Sequence, residues 1–577
     1  DYPGDSGFDD EWRIEKRNLT DGSLISSFGI GGIIKSNPSS QFDKALGVSI
    51  DSTGLYVVGY DEVPGDAQWR IEKRNLADGS IIWVKTSNPS DMFDRALKVA
   101  VDQTGVYIIG TDRSNGYSDE QWRIEKRNLV DGEYVASFGT GGVVISNPSD
   151  RYDVAVGIAI DNTGIYIVGN DNSLHLTNDQ WRIEKRDLNN GSLISSFGTG
   201  GTISSNPSNG PDKPLDVTID NTGIYIAGYR RTAVHSSSGE EGWHIEKRNP
   251  TNGSLIWEQT NDPSNFTDIA YGITVDDSGV YVVGSDESPG VNDNQWRIEK
   301  RNLYDGSFIC SFGLNGIIQN NPSSTQDTAL EITIDITGIY IVGVDRLTAP
   351  SDERWRIEKR DLIKCSIQQF SSEVIETSVN DVCFVYPDYQ GVKPPNVGYA
   401  ALSDWTSIGF IIGMCSNSQN ETLDTDSMIV DTGTGMIILD NSTIILFGGP
   451  LVNAPVNYYE TNRIAPLYWQ NIGGTYYWYV ANGTRIDETG MPFSQIAAGN
   501  QDMFVVESFL DCSDNKIFTI YGYGWKGTFA GGKFFKFVVY PDIDSYTDSF
   551  YVFKWTDDNS DGFVDLDEID TTPIVSG

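Results

Sequence analysis

The chain has 577 residues, with 81 acidic against 41 basic side chains and a formal charge of −40. A field of that sign excludes a protein that tracks a nucleic-acid backbone. No run of about 18 apolar residues is present to span a bilayer, and Asp1 opens straight into polar sequence, as a mature secreted chain is expected to. Three His leave little for metal or general-base chemistry, so the expectation is a protein that is not an enzyme.

From the first residues onward the chain is periodic. Trp-Arg-Ile-Glu-Lys-Arg starts at Trp12, Trp69, Trp122, Trp181, Trp296 and Trp355, and a variant carrying His244 starts at Trp243. Between the copies runs a second signature, Asp51-Ser-Thr-Gly-Leu-Tyr-Val-Val-Gly59, with relatives at Asp102, Asp161, Asp220, Asp276 and Asp335. A third is the Ser-Asn-Pro-Ser turn at Ser36, Ser87, Ser146 and Ser205, with looser copies near Pro263 and Pro322. One period reads as four short strands, Ala45–Ile50, Leu55–Tyr60, Trp69–Arg74 and Ile81–Lys85, separated by Gly-bearing turns and an acidic loop. Four antiparallel strands per repeat, with no helical periodicity before about residue 400, predict a β-propeller over residues 1–386.

The first unit, Trp12–Arg17, lacks the two strands that should precede it. Val374–Val379 and Val382–Tyr386 flank a hairpin signal at Asn380-Asp381, and Ser366–Phe370 suits a fourth strand for the last unit. The expectation is a seven-bladed ring closed by strands from both ends; a six-bladed ring, its first strands lent to a neighbour, is the alternative. Within each Trp motif, Trp, Ile and Lys share one face and Arg, Glu and Arg the other, so Arg–Glu pairs are expected between blades.

The runs Asp-x-Thr-Gly-x-Tyr-hydrophobic-hydrophobic-Gly, as in Asp161–Gly169, followed by a Trp strand and an Asp-Gly turn, resemble the SBBP-type β-propeller repeats of secreted bacterial and archaeal proteins. That resemblance covers residues 1–385 and implies the fold; function does not follow from fold.

Residues 387–395, rich in Pro, read as a linker. Beyond it, strands are predicted at Ile408–Met414, Ser442–Phe447, Met503–Phe509, Lys516–Tyr521 and Val538–Tyr540, with a helix starting in Leu451–Thr461 after Gly448-Gly449-Pro450. Strand, glycine turn and helix make a smaller α/β domain over 396–577. No Lys-Ser/Thr follows the glycines, which excludes a phosphate loop. Residues 444–453 and 521–532 resemble domains of archaeal S-layer and related cell-envelope proteins, which implies an extracellular or cell-surface location and an assembly role.

Asp557, Asn559, Asp561, Phe563, Asp565 and Glu568 occupy the ligand positions of an EF-hand loop, with Gly562 at the sharp turn. Calcium is therefore the expected cofactor, held as a structural ion. The acidic loops Asp61–Asp66, Asp112–Glu120 and Asp286–Asp293 read as solvated rims, and His175 and His235 as surface residues. Five cysteines show no metal spacing; Cys415 and Cys512 are the expected disulfide. Sequons at Asn18, Asn190, Asn252, Asn265, Asn420, Asn441 and Asn482 suit a glycosylated surface protein. The reading is a self-assembling extracellular subunit of a surface layer, tube or filament, whose partners are copies of itself and envelope glycans. The alternative is a secreted glycan-binding or glycan-cleaving propeller.

Overall fold

The computed structural model describes residues 10–360 except 64, 176–177, 232–240, 265, 291–292, 310–311 and 347–352. It then describes 367, 382–386 and 419–577 except 428, 440–441, 452 and 514. Contacts divide the chain into two units, one holding the Trp-motif repeats to Arg360 and one holding most of the remainder.

The repeats form antiparallel sheets in chain order, as expected of a β-propeller. β1 (Trp12–Glu15) pairs with β2 (Ile33–Ser36) alone, whereas β3 (Lys44–Asp51), β4 (Gly54–Asp61), β5 (Gln68–Arg74) and β6 (Ile81–Ser87) make a complete four-stranded sheet. Four more sheets repeat that order around Trp122, Trp181, Trp243 and Trp296, and the Trp355 sheet shows three strands among the described residues.

Each signature has a local physical cause. Asp51 Oδ1 accepts from Thr53 N at 2.7 Å and Gly54 N at 2.9 Å, which tethers the β3–β4 turn. A Cβ at Gly54 would sit 2.6 Å from Lys73 Cε, because the lysine crosses this turn to reach Thr53 Oγ1 at 2.9 Å. The Ser-Asn-Pro-Ser turn ends on a buried carboxylate: Asp43 accepts Ser39 N at 2.9 Å and Ser39 Oγ at 2.8 Å. Gly59 closes the second signature because β3 bulges between Ala45 and Gly47, pushing the Lys44 carbonyl to 1.9 Å from any Cβ there.

Successive units are joined by the Trp and Lys of the motif. Trp12 Nε1 donates to Tyr60 O at 3.2 Å, Trp69 Nε1 to Thr111 O at 2.9 Å and Trp243 Nε1 to Ser285 O at 3.0 Å. Lys16 Nζ donates to Leu76 O at 2.7 Å and Lys73 Nζ to Leu129 O at 2.8 Å. The circuit returns to its start: Lys359 Nζ reaches Leu19 O at 3.0 Å, and Arg13 lies 5.9 Å over the Trp355 ring.

The expectation of Arg–Glu pairs between blades is corrected here. Arg70 and Arg74 grip Glu72 from two residues away on the same strand, at 2.7 and 2.5 Å. Side chains two apart on a strand share a face, so the shortest reach is along the strand. What crosses between units to this glutamate is a hydroxyl or amide, as in Ser146 Oγ to Glu184 at 2.6 Å and Asn261 Nδ2 to Glu299 at 2.7 Å.

Ring closure by Val382–Tyr386 is corrected as well. That strand pairs in parallel with Gln419–Leu423 and Thr443–Phe447 in the second unit, and Phe384 and Val385 are buried in its two cores. Ile367, from the expected fourth strand, packs into the same unit; 374–379 lie outside the described residues. The second unit is an α/β layer: a seven-stranded mixed sheet with a core on each face. Thr443–Phe447 leads through the Gly-Gly-Pro turn to α1 (Ala454–Thr461), whose N-cap Asn453 accepts from Val456 N at 3.2 Å and donates to Phe447 O at 2.8 Å. A short α2 (Phe493–Ala498) precedes the long strand Gln501–Leu510, and α3 (Trp525–Phe534) covers the other face. Val538–Tyr540, expected as strand, is helical.

Candidate functional site

The repeat breaks its own symmetry at the bulge of each first strand, four residues after the buried Asp of the turn. The residues there are Gly47, Lys98, Gly157, Asp216, Gly272 and Glu331, so glycine alternates with charge. The glycines leave room for neighbouring strands; a Cβ at Gly47 would stand 3.0 Å from Lys98 Cα, and one at Gly272 3.1 Å from Glu331 Cα. The charges meet: Lys98 pairs with Glu331 and lies 3.9 Å from Asp216. These three strands belong to alternate units, so the meeting place is the axis of the ring. Burial pushes the Asp216 carboxyl up, with the Lys98 charge and the Ile273 amide opposing it. A lysine between two carboxylates can bind a polar ligand or move a proton. Sequence reasoning missed this triad; the residue four after each turn Asp carried the signal.

The calcium residues are brought together only in part. Gly562 N donates to Asp557 Oδ2 at 3.0 Å, Asp561 N to Asn559 Oδ1 at 2.8 Å and Phe563 N to Asp561 Oδ1 at 2.8 Å. Glu568 Oε2 accepts from Trp555 Nε1 at 3.2 Å and Asp565 N at 3.2 Å. The other oxygens of the first and last positions, Asp557 Oδ1 and Glu568 Oε1, are buried with no hydrogen-bond partner. The two orphaned oxygens are of the hard type that calcium takes, although the loop's carboxylates form no group of three within 4.8 Å among the described residues and Lys533 pairs with Asp565 at 3.4 Å.

A different group of ligand atoms does converge within 4.8 Å, at His244, Glu246 and Glu258. His244 stands where the other units have Arg, with Nε2 3.2 Å from Glu246 Oε1 and 3.9 Å from Glu258 Oε2. Burial raises Glu246, but the His244 contact and the Arg248 charge outweigh it and hold the carboxyl down at about 2. This is the Arg–Glu pair of the repeat rebuilt with a shorter base.

The acidic loops are not simply solvated. Asp61, Asp112 and Asp286 are buried, and each pairs with the motif Arg of its own sheet: Arg70 at 3.3 Å, Arg123 at 3.2 Å and Arg297 at 3.1 Å. Asn18, Asn190 and Asn252 lie exposed on turns, each accepting an amide two residues ahead; Asn482 does the same with Thr484 N. Asn265 and Asn441, and the side chains of Asn420 and His175, fall outside the described residues, as does His235. Cys512 is disulfide-bonded while Cys415 lies outside the description, and Cys383 is a buried free thiol.

One part of the ring is unlike the rest. Beside β1, where an inner strand pair stands in every complete unit, a cleft of about 850 Å³ is lined by Trp12, Arg13, Lys44, Val344, Trp355 and Ile357, among others. Trp355 is 60% exposed there, whereas the other six motif tryptophans are at most 1% exposed.

No protein-family model matches the chain, and no curated protein does. Solved structures align to parts of it at low identity. A subtype N10 neuraminidase-like protein of A/little yellow-shouldered bat/Guatemala aligns at 8% identity and a TM-score of 0.33, over 54% of this chain and 92% of that one. A glucose dehydrogenase aligns at 10% identity and a TM-score of 0.33, over 55% and 96%. An exo-1,5-alpha-L-arabinanase from a bovine ruminal metagenomic library aligns at 8% and 0.23, over 56% and 100%. The expectation that this chain is not an enzyme is corrected by that finding, since the aligned structures bear enzyme names. At such distances the likeness concerns the fold alone and carries no reaction.

Proposed function

We propose that the chain is a self-assembling extracellular subunit of a surface layer, tube or filament, built on a seven-bladed ring whose first blade shows two strands among the described residues. The observation that carries this reading is Trp355, an apolar motif residue left 60% exposed beside a two-stranded sheet whose inner edge has no partner among the described residues. Exposed strand edges flanked by apolar surface favour pairing with another chain. Calcium at Asp557, Asn559, Asp561, Phe563, Asp565 and Glu568 would stiffen the second unit, and extracellular location fits both the ion and the exposed sequons. Electron microscopy and sedimentation of the purified chain in millimolar calcium test the reading: ordered particles or fibres are expected, and a strictly monomeric protein at all concentrations overturns it.

The second reading, a propeller that binds or cleaves glycans, is favoured by Lys98, Asp216 and Glu331 at the ring axis. Glycan binding abolished by Lys98→Met, in a protein with unchanged melting, would select it.

A further inference from the structure

The repeat departs from itself twice at one place, and the two departures face each other. In six of the seven copies of the Trp motif the residue after Trp is Arg; in the copy at Trp243 it is His244. The motif glutamate two residues on is Glu246, and its cross-strand partner on Leu255–Asn261 is Glu258. In four other units the same register sets an uncharged residue there: Glu15 faces Ile33, Glu72 faces Val84, Glu125 faces Val143 and Glu184 faces Thr202. The unit that gives up an arginine is therefore also a unit that gains a carboxylate. Two carboxylates directly opposite on one face of a sheet repel, and the base left between them is a weaker counter-charge than the one it replaces. Arginine with an uncharged partner serves packing in the other units, so the double exchange calls for a different cause.

Coordination chemistry supplies one. Residues 244 and 246 lie two apart on a strand and share a face, and Glu258 joins them from across the ladder. Their ligand atoms converge within 4.8 Å, with His244 Nε2 3.2 Å from Glu246 Oε1 and 3.9 Å from Glu258 Oε2. Ligands about 2.0–2.2 Å from a tetrahedral zinc ion stand about 3.3–3.6 Å from one another. The first pair is thus at ligand spacing, and the second closes with a small swing of Glu258, whose side chain is 55% exposed. The other two side chains are buried and held. Arg248 grips Glu246 Oε2 at 2.6 Å, leaving Oε1 towards the imidazole; Ser205 Oγ donates to that Oε1 and uses one of its two lone pairs. The Trp181 ring packs edge-on against His244, with centroids 5.0 Å apart, and sets the plane of the imidazole. His244 Nδ1 is buried with no hydrogen-bond partner, so no contact there forces the ring proton onto Nε2, whose lone pair is left to an ion.

We propose that His244, Glu246 and Glu258 form a binding site for a divalent transition-metal ion, zinc being the ion that one imidazole and two carboxylates at this spacing suit. Calcium, which takes six to eight oxygens, does not fit it. Three protein ligands leave a fourth position to water or to an external ligand, and the exposed Glu258 marks the side from which the ion enters. The site is built from one sheet of the first unit and stands whether or not the chain assembles.

The test is calorimetric titration of the full chain with zinc, in saturating calcium so that the Asp557–Glu568 loop is not what zinc reports. His244→Arg and Glu258→Val each write in a residue that other units carry at that position, so both keep the fold by circular dichroism; Glu258→Gln, which keeps the shape, serves where valine disturbs the strand. Partners outside the ligand shell are alone worth about tenfold or more in metal affinity, so each variant is expected to weaken the tightest zinc site at least that far. Cobalt supplies a second readout: the visible absorption of a tetrahedral ion in the wild type, lost in both variants. The melt of the wild type is expected to rise with zinc, and that of either variant to ignore it. A tight site equally strong in both variants means that zinc binds elsewhere and overturns the proposal. Loss in one variant alone also overturns it, because the ion then does not need all three ligands. A wild type that binds zinc no better than the variants, with a melt that ignores the metal, shows the cluster to be a protonated His244 paired with two carboxylates, and overturns it as well.

Discussion

Removing calcium is expected to lower the melting temperature of the second unit by several degrees, and the loop geometry says why. Asp557 Oδ1 and Glu568 Oε1 are buried and unpartnered, so without an ion each carries an unmet desolvation cost. An ion that binds the folded loop alone adds RT ln(1 + [L]/Kd), about 2.7 kcal/mol when calcium is about 100-fold above Kd. For a unit of this size that corresponds to roughly 5–10 °C. Differential scanning calorimetry with and without chelator reads the shift, and Trp555 offers a local signal. Its Nε1 is bound to Glu568 Oε2 at 3.2 Å, so loss of the ion should change its fluorescence. Glu568→Gln keeps the shape and the indole contact while removing one charge, and should abolish most of the calcium-dependent part of the shift. Magnesium, which demands tighter octahedral geometry, should restore little. If chelation and Glu568→Gln both leave the melt unchanged, the loop is an acidic turn and the reasoning from orphaned oxygens fails.

Two further outcomes follow from buried ionisable groups. Burial pushes Glu460 up to about 8, and burial together with the Glu460 charge raises Glu507 well above its ordinary value. The folded state then holds protons that the unfolded chain releases above about 4.5. Stability of the second unit should therefore fall as pH rises from about 4.5 to 8, and Glu507→Gln should flatten that slope in calorimetric scans; an unchanged slope refutes it. In the ring, His244→Arg should restore the two-pronged Arg–Glu grip seen at Glu184, where Arg182 and Arg186 stand at 2.8 and 2.6 Å, and raise the melting temperature. A lower melting temperature would mean that the packing of His244 against Trp181, at 5.0 Å between ring centroids, outweighs the pair.

What the sequence made legible follows from how each feature is encoded. Strand positions were readable because Trp69, Ile71 and Lys73 alternate with Arg70, Glu72 and Arg74, and that period of two sets the faces whatever the neighbours do. The α/β layer was readable from Thr443–Phe447, the glycine turn and a helix start capped by Asn453. Val382–Tyr386 went to the wrong sheet because five apolar residues specify a buried strand without specifying which sheet buries it. Its parallel partners lie about 40 and 60 residues further along, beyond the reach of a hairpin signal.

The ring axis was hidden for a different reason. A bulge places two residues of one strand against one of its neighbour, so the simple alternation that located every other side chain slips by one at Gly47, Lys98 and their counterparts. A reading by strict alternation assigns those residues to the wrong face. The repeat also spends its recognisable letters on the interface between units, in Trp, Lys, Asp-Thr-Gly and the closing Gly. The axis position is under no such demand, since nothing there need match the next unit. It is free to vary between absence of a side chain and charge, and Lys98, Asp216 and Glu331 can meet only because Gly47, Gly157 and Gly272 make room. In this chain, the letters that differ at that offset therefore mark the charged cluster at the ring axis.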